Sequence, residues 1–254
     1  MIAPAVSPQG NPMPDILSKQ NGPILEITLN RPERGNGADD AMAIELTRLI
    51  ENVLAGTACI VLRGAGADFC TGRVQSGPPP TGPGNAFAVR QFFEAVFKCY
   101  GAIRNSPVPV IAVVQGRALG FGCAIAAVAD ITIASDSATF QVPEMAHNIL
   151  PTMVMSSFID RIPRKAFTYL VYSTATISAE RALAFGIVSD VVPAAKLDDA
   201  VAQVTGAILK APLPAVRGVK EYARHAFSMH TDSAIDFARN IHALINSSAE
   251  MRRA

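Results

Sequence analysis

The chain has 254 residues, half of them hydrophobic and 17% charged, with a formal net charge of +1. That supplies apolar material for one large core. It leaves no basic block to neutralise a nucleic-acid backbone or an anionic membrane surface, so both partners are set aside.

The first fifteen residues, MIAPAVSPQGNPMPD, hold four prolines and no basic stretch. Residues 1–20 are therefore expected to be a disordered tail rather than a secretory signal. In ILEITLN, residues 24–30, Leu25, Ile27 and Leu29 alternate with Glu26 and Thr28, which predicts a half-buried strand. Asp39 or Asp40 can cap a helix running to about residue 54, with Met42, Leu46, Leu49, Ile50 and Val53 on one face. CIVLR, residues 59–63, predicts a strand that runs into the glycine-rich loop GAGADFCTGR.

The stretch GPPPTGPGN that follows permits nothing regular. Residues 87–103 predict a Phe-rich helix, 108–114 a buried strand, 118–130 a glycine-hinged apolar helix and 131–134 a strand. Alternating strands and helices indicate an α/β fold with parallel pairing. From residue 151 onward helices are expected at 152–161, 164–172, 179–185, 197–210, 213–229 and 231–247, with a strand at 187–192. No run of about 18 apolar residues suggests a membrane span. Four cysteines without a CxxC pair read as buried thiols of a cytoplasmic chain.

The helix at 118–130, ALGFGCAIAAVAD, carries no polar side chain before its final Asp. GFGCAI and GAGADF each begin Gly-x-Gly but lack the third small residue of a dinucleotide fingerprint. What such a helix can offer is its backbone: N–H groups without intrahelical partners, at the positive end of the helix dipole. Two such groups converging on one oxygen would form an oxyanion hole; the loop GADFCTGR can supply the second.

Five segments stand in an order that resembles the enoyl-CoA hydratase/isomerase (crotonase) superfamily over roughly residues 22–247. They are ITLNRPERGNGAD, IVLRGAGADFCTGR, PVPVIAVVQGRALGFGCAIAAVADITIAS, ATFQVPE and ISAERALAFGIVSDVVP. The resemblance implies a spiral of ββα turns across residues 21–195 and a C-terminal helical oligomerisation segment, 196–254. It implies an acyl-CoA thioester substrate, assembly as a trimer or a dimer of trimers, and no metal or separate cofactor, CoA arriving as part of the substrate. By motif match, the oxyanion donors are the backbone N–H groups of Arg73 and Phe121, and the acid/base is Glu144. Arg34, Thr71, Gly72, Gln75 and Gly120 fall at CoA- or substrate-binding positions.

The chain also departs from the family pattern. Hydratases of the family use two glutamates, and the first falls on Ala124, which transfers no proton. One remaining carboxylate suffices for isomerisation of an enoyl-CoA double bond, which needs a single base. Hydration with a substitute partner, and an acyl-CoA-binding protein that has lost its chemistry, are the alternatives. Arg73 stands where a small residue is usual, Val74 where an acid commonly follows, and Phe121 replaces a glycine. His147 is a lesser acid/base candidate. Asp130 is expected to end a helix or orient a loop, and His225, His230 and His242 show no metal-ligand spacing.

Overall fold

The computed structural model describes residues 13–75, 77, 82 and 84–252. A six-stranded sheet forms the centre. It is built from β1 (Ile16–Asn21), β2 (Ile24–Leu29), β3 (Cys59–Gly64), β4 (Val110–Val114), β6 (Ile131–Ser135) and β9 (Asp190–Val192), in the order β1-β2-β3-β4-β6-β9. All neighbours are parallel except the β1–β2 hairpin at the edge. A smaller sheet contains β5 (Arg117–Leu119), β7 (Thr139–Gln141) and β8 (Ile177–Ser178).

Side chains alternate across the main sheet with period two. Leu25, Ile27, Ile60, Leu62, Val110 and Ala112 face one core, which contains residues of α1 (Asp40–Glu51), α3 (Glu94–Asn105) and α4 (Phe121–Val128). Cys59, Val61, Ile111, Val113 and Ile133 face the other, where α8 (Leu197–Lys210) lays down Leu197 and Val201. The sheet is thus covered on both faces, as parallel sheets require. The segment expected at 196–254 therefore begins with a helix that belongs to the core. Its other helices, α9 (Leu213–His225) and α10 (Thr231–Asn246), pack on each other.

The remaining helices are α2 (Ala86–Phe92), α5 (Thr152–Ser157), α6 (Arg164–Ser173) and α7 (Ala179–Ala184). Several expectations are corrected. The predicted tail ends too late, because Ile16–Asn21 pairs with β2, while residues 1–12 lie outside the described residues. The helix expected from residue 118 starts at Phe121. Ala118 and Leu119 instead extend in β5, and Gly120, at φ +48° and ψ −109°, turns the chain into α4. The helix expected over 87–103 breaks at Phe93 into α2 and α3. The helix expected over 152–161 ends at Ser157, and the strand expected over 187–192 is confined to Asp190–Val192.

Candidate active site

Three passes of the chain build one site. Each climbs a strand of the main sheet, crosses to the smaller sheet, and turns off. Cys70, after β3, bridges Ala118 of β5, and Ala118 pairs in parallel with Phe140 of β7. Arg73 lies three residues past Cys70, Phe121 three past Ala118, and Glu144 four past Phe140. The parallel register therefore delivers these groups to one side of the smaller sheet.

Gly72 and Gly120 are the close approach. Gly72 has φ +117° and Gly120 φ +48°, conformations that an L side chain resists. A Cβ placed on Gly120 would sit 2.7 Å from Glu144 Oε1 and 3.9 Å from the Gly72 Cα. The residues that follow the two glycines carry the expected donors. Gly120 N–H is consumed by the Gln141 carbonyl at 2.9 Å, and Ala124 N–H by the Gly120 carbonyl at 2.9 Å. Phe121 N–H stands at the first helical position, where no intrahelical acceptor exists. Among the described residues no acceptor meets the Arg73 N–H either. The fold thus brings Gly72, Gly120 and Glu144 together, and the two amides beside them meet no acceptor among the described residues.

Glu144 begins a short 3-10 helix, Glu144–His147, capped by Asn148 in the left-handed conformation. Its Oε2 is buried without a hydrogen-bond partner among the described residues, and no cation is paired with it there. Burial chiefly lifts its carboxyl above the ordinary 4.5, and a backbone hydrogen bond and the exposed His147 pull it partly back. Cys70 and Cys123 flank the glycines, but burial pushes both thiols up to about 12, so they remain neutral there. Ala124 is fully buried one turn along α4 and presents no functional group.

The bulky residues at the two donor positions turn their side chains elsewhere. The Arg73 guanidinium donates to Asp40 Oδ1 from Nη2 at 2.7 Å and from Nε at 3.2 Å. It also lies over the rings of Phe92 and Phe93, 5.5 and 5.3 Å from their centroids. The break between α2 and α3 brings both rings against it. The Phe121 ring packs on Tyr100, with centroids 5.6 Å apart.

The expected CoA-binding residues are only partly assembled. Thr71 lies beside Arg34, its hydroxyl 3.4 Å from the Arg34 carbonyl, and its N–H donates to Gly35. The Arg34 side chain is exposed, with Glu33 at the edge of ion-pair range. Gln75 is exposed and donates to the Gly77 carbonyl. Sequence reasoning missed Asp40 as a partner for Arg73. It also did not single out Tyr100, which shares the buried face of α3 with Val96, Cys99 and Ile103. No group of metal-ligating side chains is found among the described residues.

The family model for enoyl-CoA hydratase/isomerase matches residues 19–254. The chain is 29% identical over 244 residues to the 1,2-epoxyphenylacetyl-CoA isomerase of Escherichia coli strain K12, covering 93% of this chain and 92% of that one. Its fold is similar to that of an enoyl-CoA hydratase from Mycobacterium smegmatis, with a TM-score of 0.87, 24% identity and 93% of each chain covered. A putative enoyl-CoA hydratase from Thermobifida fusca solved in complex with CoA gives a TM-score of 0.85 at 25% identity, covering 94% of this chain and 95% of that one. The two-sheet core, its stacked turns and its helical C-terminal region are those of the crotonase fold, and the chain belongs to the enoyl-CoA hydratase/isomerase family.

Proposed function

We propose that the protein is an acyl-CoA isomerase that moves a double bond through a thioester enolate, with Glu144 as its only acid/base. The single observation that carries this reading is the Glu144 carboxylate. It lies against Gly120, has one oxygen buried without a partner among the described residues, and has no second carboxylate beside it at Ala124. In this reading the thioester oxygen accepts hydrogen bonds from the Arg73 and Phe121 N–H groups. Glu144 takes a proton from C2, the electron pair moves into the carbonyl as an enolate, and the same carboxyl returns the proton at C4. The amides favour the oxygen once it is negative, which lowers the barrier rather than merely binding substrate. Only protons move, so the reaction requires no redox group.

Acyl-CoA as the substrate class is supported by the family and by the CoA-bound neighbour. Arg34, Thr71 and Gln75 border the side from which the CoA portion would enter. A homo-oligomer is part of the same proposal; Val219, Phe227 and Leu244 on and beside the last two helices are exposed and apolar.

Incubation with 3-hexenoyl-CoA and, separately, crotonyl-CoA tests the reading. Formation of 2-hexenoyl-CoA, with no 3-hydroxyacyl-CoA from crotonyl-CoA, supports isomerisation. A 3-hydroxyacyl product makes the protein a hydratase, and binding without turnover of either thioester makes it an acyl-CoA-binding protein.

A further inference from the structure

Tyr100 is 4% exposed, no hydrogen bond of its hydroxyl is found among the described residues, and the oxygen is not fully sealed from its surroundings. Buried tyrosine hydroxyls usually find a partner. The Tyr100 ring packs against the Phe121 ring, and Glu144 is close enough for its charge to act on the hydroxyl. Ala124 lies three residues along the same helix, hence on the α4 face shared with Phe121. Glu144 Oε2 is buried without a partner among the described residues. One of the two is a donor and the other an acceptor. A hydroxyl group on a ligand both donates and accepts, and would satisfy both.

We propose that Tyr100 is a specificity-determining residue whose hydroxyl donates a hydrogen bond to an oxygen substituent on the acyl chain, so that the substrates are oxygenated acyl-CoA thioesters rather than plain alkyl ones. The assignment rests on the acyl-CoA reading above and adds the nature of the acyl group. The phenol is suited to the task. Burial, followed by nearby groups that include Glu144, holds its ionisation well above the ordinary value, so it remains a neutral donor throughout the working pH range. A site with such a donor favours a ligand that completes it, because an alkyl analogue leaves the buried hydroxyl unsatisfied.

The test compares calorimetric affinities for 3-hydroxybutyryl-CoA and butyryl-CoA in the wild type and in Tyr100→Phe, which retains the ring against Phe121. The wild type is expected to prefer the hydroxylated ligand, and Tyr100→Phe to lose about tenfold in affinity for that ligand alone. The wild-type preference is a measurement that does not depend on the variant folding, and thermal melting checks that the variant does. Equal affinities in the wild type, or a Tyr100→Phe effect that is absent or the same for both ligands, overturn the assignment and leave Tyr100 a packing residue. If the wild type binds neither thioester nor free CoA, the acyl-CoA reading itself fails.

Discussion

A carboxylate stands at each end of helix α4, and the two have opposite surroundings. Beyond its C-terminal end, Asp130 accepts Lys220 Nζ at 2.7 Å on each oxygen and the Val110 N–H at 2.8 Å. Lys220 also donates to the Ile103 carbonyl. By its N-terminal end, Glu144 is paired with no cation among the described residues, and one of its oxygens is buried without a partner there. Burial weakens the hold of both Lys220 and Glu144 on charge; Lys220 has Asp130 hydrogen-bonded to it to restore that hold, whereas Glu144 has a backbone hydrogen bond and the exposed His147. A buried charge with every partner in place pins a fold together. A buried carboxylate left incomplete beside amides that meet no acceptor is what the proposed ligand site requires.

Replacing each charge in turn sharpens the contrast. Glu144→Gln should reduce turnover on the thioester substrate by roughly a thousandfold, the scale of losing a general base, with little change in the melting curve. Lys220→Met should do the reverse. Stranding Asp130 in the interior costs about 3 kcal/mol of stability by denaturant titration, and a second change, Asp130→Asn, should recover part of that loss. Gly120→Ala should reduce turnover by about a hundredfold, because its Cβ displaces the Glu144 carboxylate from beside the amides and strains a conformation that only glycine adopts readily.

The smallest effect is one of pH. Because the folded protein holds the Glu144 proton more tightly than the unfolded chain does, this group's contribution is fully present below about 4.5. It is lost as pH rises through the folded value. Wild type should therefore lose stability relative to Glu144→Gln across that window, and turnover should rise as the carboxylate ionises. Melting temperatures of the two proteins from pH 4 to 7 check both the sign and the window.

The same contrast explains what could be read from sequence. β2, β3, β4 and β6 were legible because their apolar runs or alternation reflect burial on one or both faces. β5, β7 and β8 have two or three residues each, too few to show a period, yet they set the register of the site. β1 was missed because SKQN follows its Ile-Leu start, the composition of an exposed edge. Glu144 and the two glycines were picked out as candidates through motifs. The contacts of the Arg73 guanidinium with Asp40, 33 residues away, and of the Lys220 ammonium with Asp130, 90 away, leave no local trace. The break at Phe93 was equally hidden, since two adjacent phenylalanines contain no helix breaker.

The bridge from Cys70 through Ala118 to Phe140 also carries a lesson about length. Consecutive residues of an extended chain point to opposite sides. One amino acid inserted between Gly116 and Gly120 would aim the next free amide away from its counterpart, even with every residue around it unchanged. Indels during divergence are thus admissible at the far bends of the coil and forbidden on its three short risers.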